Sequence, residues 1–179
     1  VTFFAGTFVR HPISLAAAKA VMTRIKEQGQ SLYDELEAKT SELSAGASQF
    51  IEEMNCEVKF ESFASLFYIS VPAAAHWGHL MYVLMMQEGI NIQQYRPSFL
   101  TTEHSPQDVE KVLNAFKKSL AQMIEHGLIE GDMLAAKKYL RAKPEIPEGA
   151  RLGKNAQGEP AYFIEDPENQ GQYIEVGKP

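Results

Sequence analysis

The 179-residue chain has one cysteine, one tryptophan and fewer basic than acidic side chains. Cys56 by itself forms no internal disulfide and supplies no cysteine-based zinc site, which excludes a stapled scaffold and a zinc ribbon. Lys and Arg total 17 against 23 Asp and Glu, a formal charge of −6. That balance argues against a broad basic face for gripping nucleic-acid phosphates. No apolar run approaches the about 20 residues of a membrane-spanning helix. The first residue is Val rather than Met, and no basic stretch followed by an apolar core reads as a signal peptide. The expectation is a cytoplasmic protein, or a piece of one, with neither nucleic acid nor membrane as partner. A Gly-rich phosphate loop, a nucleophile elbow and a paired-carboxylate loop are missing as well. What is present is 45% hydrophobic and 22% charged residues, a composition that supports a sizeable core and excludes disorder over the whole length.

Local patterns predict an α+β layer over about 1–127. A strand-like opening breaks at Gly6-Thr7, and Pro12 suits the first turn of a helix that runs through Met22 and Ile25 to Gly29. Ser31 reads as the N-cap of a second helix extending toward Met54. Glu57–Glu61 alternates with period two, Ser65–Val71 reads as a more buried strand, and a helix follows from about Ala75 to Glu88. Ile90–Ile92 and Ser98–Thr101 are short strand candidates. Ser105, Pro106 and Asp108 together start a helix, which Val109, Val112, Leu113, Phe116, Leu120, Met123 and Ile124 continue to Gly127. Beyond it, Pro144, Pro147, Pro160, Pro167 and Pro179 suit an extended linker.

Several residues invite a chemical reading beside a plain one. Gly6-Thr7, between a strand and a proline-started helix, fits a simple turn or a phosphate cradle of backbone N–H groups and a hydroxyl. His76 and His79 stand three apart, a spacing that binds metal, but with no acidic partner nearby they read as a solvated or capping pair, and no metal site is expected. The methionines fill a core, and Cys56 is structural. Glu52-Glu53 and Asp34-Glu35 are solvated helix faces. Arg96, in a loop before Pro97, fits a bidentate carboxylate clamp or a surface salt bridge.

The order of these pieces carries a resemblance. Thr2 to Pro12, with Gly6-Thr7, and then the alanine-rich Leu15–Ala18, resemble a segment of class III aminotransferases. Ser65-Leu66-Phe67 is similar to the strand that follows in the aminomutase branch. Gly89-Ile90-Asn91-Ile92, Arg96 and Phe99 through Ser105 look like that family's last strand and turn. By pattern, the relatives are glutamate-1-semialdehyde aminomutase and the aminotransferase domains built into polyketide and nonribosomal peptide synthetases. Gly149 to Gly153, Gly158 to Phe163 and Asp166 to Val176 look like the linker after such embedded domains, whereas a free aminomutase is expected to stop soon after the last helix.

The resemblance implies the small C-terminal domain of the fold type I architecture, long helices on a short, mainly antiparallel sheet, with an extended tail. Residues 1–12 would end the large cofactor-binding domain, 13–127 form the small domain and 128–179 an inter-domain linker. It further implies pyridoxal 5'-phosphate, a homodimer, an amino-acid donor and a keto acyl substrate on a carrier protein. Gly6 and Thr7 inherit a contact with the cofactor phosphate across the dimer interface, and Arg96 inherits recognition of a substrate carboxylate. The departures are equally specific. No lysine stands in the family's Schiff-base context, which lies upstream of the Gly-Thr segment, and the Ser-Gly-Thr-Glu-Ala loop and strand-ending Asp-Glu are missing. His11 replaces the usual asparagine before Pro12. The expectation is therefore a chain cut inside the large domain, with no catalytic residue of its own and inactive alone. The alternatives are a fragment of a free aminomutase, or a non-catalytic docking module that kept the small-domain fold.

Overall fold

In a computed structural model, residues 6, 11–142, 149–166 and 171–177 are described. Two units divide the chain, Val1–Leu140 and Arg141–Pro179.

In the first unit, Pro12 opens helix α1 (Pro12–Gln28), whose fixed φ and missing N–H suit a first turn. Gly29, at φ 57°, joins it to the 24-residue α2 (Gln30–Glu53). Ser31 was expected to cap α2. Instead it lies inside the helix, and its hydroxyl donates to the Gln28 carbonyl at 2.7 Å. Leu43, Ala47, Phe50 and Ile51 put one stripe of α2 into the core, while α1 buries no residue.

Strands β1 (Lys59–Phe63) and β2 (Leu66–Ser70) pair antiparallel around a two-residue turn, and β3 (Ser98–Phe99) adds to the other edge of β2. Ala64 holds the positive φ, 51°, that such a tight hairpin requires. Period-two alternation sends Phe60, Phe67 and Ile69 inward. Phe60 stacks on Phe67 at 5.2 Å and meets Phe116 edge-on at 5.4 Å.

That edge-on ring belongs to α4 (Pro106–Glu125), whose start carries a complete capping box. The Ser105 hydroxyl accepts from Asp108 N–H, and the Asp108 carboxylate accepts from Ser105 N–H. Phe116, Leu120, Met123 and Ile124 are wholly buried. Between the sheet strands, α3 (Leu80–Gln87) buries Met81, Tyr82 and Met85. Met81, Met85 and Met123 are core, as their spacing predicts, whereas Met86, expected beside them, is 53% exposed.

Four further sequence expectations need correction. The helix expected from Ala75 begins only at Leu80, because residues 72–79 form successive turns, with Ala75 N–H bonded to Pro72 O and Gly78 N–H to Ala75 O. Ile90–Ile92 is no strand: Ile90 N–H closes onto Met85 O at the end of α3, and both isoleucines pack on the core from a loop. The predicted strands are also trimmed or shifted by up to two residues at their ends. Finally, the extended conformation expected over 128–179 gives way to regular structure. Helix α5 (Met133–Arg141) starts where the Asp132 carboxylate accepts from Leu134 and Ala135 N–H. It buries Ala136 and sets Tyr139 edge-on to Phe50 at 4.8 Å.

In the second unit, β4 (Arg151–Lys154), β5 (Pro160–Glu165) and β6 (Tyr173–Gly177) form an antiparallel sheet in that order. Asn155 makes the first turn, its side-chain oxygen accepting from Gln157 and Glu159 N–H. Among the described residues, Gly158 and Gly171 lie in the turns between these strands. Pro160, lacking a donor, stands at the first position of β5, where a strand tolerates it. The architecture matches the expected fold class, long helices on a short antiparallel sheet. No described helix is long and apolar enough to cross a membrane.

Candidate functional site

The segment from Gly89 to Ser105 carries Arg96, and the fold shapes it at three points. At its start, Tyr82 of α3 is buried, and its hydroxyl donates to the Ile69 carbonyl of β2 at 3.0 Å. Its ring meets Tyr95 edge-on, with centroids 5.5 Å apart. Burial pushes the Tyr82 pKa up, and a bond with the Tyr95 backbone partly offsets this. Tyr95 itself has φ 54°, unusual for a bulky residue, and stands inside the turn that Arg96 N–H closes onto Gln93 O at 3.3 Å.

In the middle, β3 and Leu100 fix the segment to the sheet, with Leu100 N–H on Ser65 O at 2.9 Å. At its end, His104 locks the turn into α4. Thr101 N–H donates to His104 Nδ1 at 2.9 Å, so this nitrogen is the acceptor and the neutral ring carries its proton on Nε2. Lys39 of α2 donates to the His104 carbonyl at 3.1 Å and bridges to Glu35 at 2.7 Å. His104 thus acts as a structural fastener.

An open groove of about 460 Å³ lies along this segment, lined by Asn91, Gln93, Ser98, His104, Asp108 and Lys111 among others. The bonds from Ser105 hold the Asp108 carboxyl below its ordinary range. The groove therefore offers one firm negative charge beside the Lys111 ammonium, together with amide and hydroxyl groups that hydrogen-bond a polar ligand.

The predicted site residues distribute unevenly. Arg96 is exposed on the loop between Gln93 and Ser98, both of which line the groove, but it does not line the groove itself. Among the described residues it takes part in no salt bridge, so its default sequence reading as a surface ion pair finds no support. Gly6 is exposed and belongs to no helix or strand, and Thr7 lies outside the described residues. His76 and His79 flank Trp77, with ring centroids 5.0 and 5.9 Å from the indole, and no group of three metal-binding side chains occurs among the described residues. Tyr82 and Tyr95, which shape the loop, went unnoticed in the sequence because nothing in their spacing separates them from ordinary core aromatics.

No described lysine is buried, and Lys111 alone among them lines the groove. A carbonyl-bearing cofactor that needs a sequestered amine for covalent attachment is therefore not fitted by the described residues on their own. Those residues fit a share of such a site: polar contacts at its edge.

No protein-family model matches the chain. Over 129 residues it is 27% identical to glutamate-1-semialdehyde 2,1-aminomutase of Archaeoglobus fulgidus, a match covering 65% of this chain and 30% of that protein. Among solved structures it resembles a transaminase with PLP bound, with a TM-score of 0.60 and 18% identity over 70% of this chain and 31% of the other. It also resembles an omega-transaminase from Sphaerobacter thermophilus, with a TM-score of 0.56 and 22% identity, covering 66% of this chain and 30% of that one. The chain thus spans under a third of the relatives it matches. Its fold is that of part of a transaminase.

Proposed function

We propose that this chain is the small C-terminal domain of a pyridoxal-phosphate aminotransferase, cytoplasmic and embedded in a peptide or polyketide synthetase. The observation that carries the reading is the partial likeness just described: the fold of a transaminase, at a TM-score of 0.60, over 70% of the chain. Identity to an aminomutase over 129 residues supports the pyridoxal-phosphate family part of the reading. A second unit, Arg141–Pro179, with a sheet of its own, supports a multidomain setting. In this reading residues 1–12 complete a large domain, 13–127 are the small domain and 128–179 join the next domain. The catalytic lysine comes from the large domain, and the whole is a homodimer.

The cofactor, when bound, supplies an electron sink for the bond broken at the amino-bearing carbon. This chain's share is positioning. The Gly6 N–H and the Thr7 hydroxyl bind the cofactor phosphate. The Arg96 guanidinium, exposed on its strained turn, offers a planar two-pronged donor to a substrate carboxylate. The amino group passes from an amino-acid donor to a keto acyl group on a carrier protein.

One observation favours a second reading, a free glutamate-1-semialdehyde aminomutase: the curated relative is such an enzyme. Assay of the polypeptide that joins this chain to a lysine-bearing large domain separates the two. Transfer from an amino acid to a carrier-bound keto acyl group supports the first, and isomerisation of glutamate-1-semialdehyde supports the second. Thr7→Ala should raise the cofactor concentration needed for half activity, and Arg96→Ala should raise KM for a carboxylate substrate. Loss of neither property would remove these residues from the site, and absence of both activities would remove the function.

A further inference from the structure

A second pocket, of about 300 Å³, opens between the turns leading into α3 and the segment after α4, and it shares no lining residue with the groove. Three kinds of surface meet in it. Pro72, Leu128 and Ile129 give an apolar wall. Glu57 and Glu130 bring two carboxylates, both exposed, and neither is in a salt bridge among the described residues. Trp77 adds the only indole of the chain, 49% exposed although tryptophan is usually well covered. The His76 ring packs edge-on against that indole at 5.0 Å and steadies it. No lysine or arginine lines the pocket.

Each class of occupant can be judged against that lining. An anion is repelled by two carboxylates. A neutral apolar molecule covers them without pairing them, which costs desolvation. A hydrated inorganic cation leaves the apolar wall unused. A cationic head on a short alkyl stem uses all three surfaces. The stem lies on Pro72, Leu128 and Ile129, the ammonium donates charge-assisted hydrogen bonds to Glu57 and Glu130, and its field meets the face of Trp77. We propose that this pocket binds an alkylammonium group, as carried by a lysine side chain or a free primary amine. The proposal stands apart from the aminotransferase reading and survives its failure.

Because Trp77 is the only tryptophan, its fluorescence reports on the pocket directly. The full chain titrated with n-butylammonium chloride should show a saturable change in emission. Sodium chloride at equal ionic strength and n-butanol should produce none. Glu57→Gln combined with Glu130→Gln should weaken binding about tenfold, the loss expected from two modest charge contacts. Glu52→Gln with Glu53→Gln, which removes the same charge from outside the pocket, should leave it unchanged. Tighter binding of a lysine-containing tripeptide assigns the group to a polypeptide partner, and equal binding assigns it to a free amine. An emission change shared by sodium chloride or butanol, no saturable change, or wild-type titration of the Glu57/Glu130 variant each overturns the proposal. Because both glutamates are exposed, the substitutions leave the fold intact, which an unchanged melting curve verifies.

Discussion

The hydroxyl of Tyr82 donates to the Ile69 carbonyl at 3.0 Å while its ring rests against Tyr95 at 5.5 Å. One buried side chain thus ties α3 to β2 and also holds the turn that presents Arg96. Tyr95 sits at φ 54°, a conformation that a bulky residue keeps only when its surroundings impose it. The exposed arginine is therefore mounted on a loop whose shape is set from inside the core.

Removal of that hydroxyl should be felt. Tyr82→Phe keeps the ring contact and loses the bond to Ile69, so urea unfolding should give a stability about 1–2 kcal/mol lower. Burial raises the Tyr82 pKa above its unfolded value. The associated stability is complete below the unfolded pKa, about 10, and is lost as pH rises through the higher folded value. The alkaline decline should accordingly be shallower in Tyr82→Phe, with a share remaining from Tyr139, also raised by burial. Parallel alkaline profiles for the two proteins would rule this out.

At the start of α4 the sign is opposite. Ser105 and its backbone N–H hold the Asp108 carboxyl below its unfolded pKa. Its contribution is present above about pH 4 and disappears as pH falls through the lower folded value. Asp108→Asn should flatten the acid limb of a stability-versus-pH curve, leaving the share from Glu35, which Lys39 lowers in the same direction. Ser105→Ala, which removes the hydroxyl bonded to Asp108 N–H, should cost about 1 kcal/mol at neutral pH. An unchanged acid limb in Asp108→Asn would show that the carboxylate is indifferent to folding.

The contrast between α4 and α5 shows what the chain makes legible. For α4, the cap, the proline, the early acid and nine buried residues at helical spacing agree, and all are local. Helix α5 had an equally local cue in Asp132, but its single fully buried residue is an alanine, and the prolines that follow dominate the composition. Strands β4 to β6 are four to six residues long and are specified by pairing across turns. Their glycines therefore read as linker. Ile90–Ile92 has strand composition but is consumed by the end of α3. At the site, the exposed loop position of Arg96 could be read from Arg-Pro, whereas the Tyr82–Tyr95 mounting depends on tertiary contact alone.

The junction ahead of α5 offers a packing test. A Cβ at Gly131 would lie 2.9 Å from the Met54 carbonyl oxygen, 2.9 Å from Ile124 Cδ1 and 3.2 Å from the Cys56 Cβ. That same carbonyl accepts Asp132 N–H at 2.7 Å. Backbone cannot give way as a side-chain tip can, so Gly131→Ala must displace Asp132 and with it the cap of α5. A loss of about 1–3 kcal/mol is expected in urea unfolding. The Tyr139–Phe50 contact should loosen with it, visible in ring-proton chemical shifts. Unchanged stability and shifts would mean that the close approach at Gly131 is dispensable.

Helix α1 should be the least protected helix of the first unit. It has 17 residues and buries none of them, and Ile13 and Met22 are 74% and 66% exposed. Isolated helices of about 12–15 residues are marginal in water, because most helical stability comes from packing one face. Local opening of α1 therefore breaks almost no tertiary contact, whereas opening α4 exposes nine buried residues. In amide hydrogen exchange at low protein concentration, α1 should exchange orders of magnitude faster than the centre of α4, whose slowest amides should track global unfolding. Protection of α1 equal to that of α4 would contradict this and would mean that its apolar side chains are covered in solution. Dilution then identifies the cover: protection that falls with concentration comes from a second copy, and protection that persists comes from the chain itself.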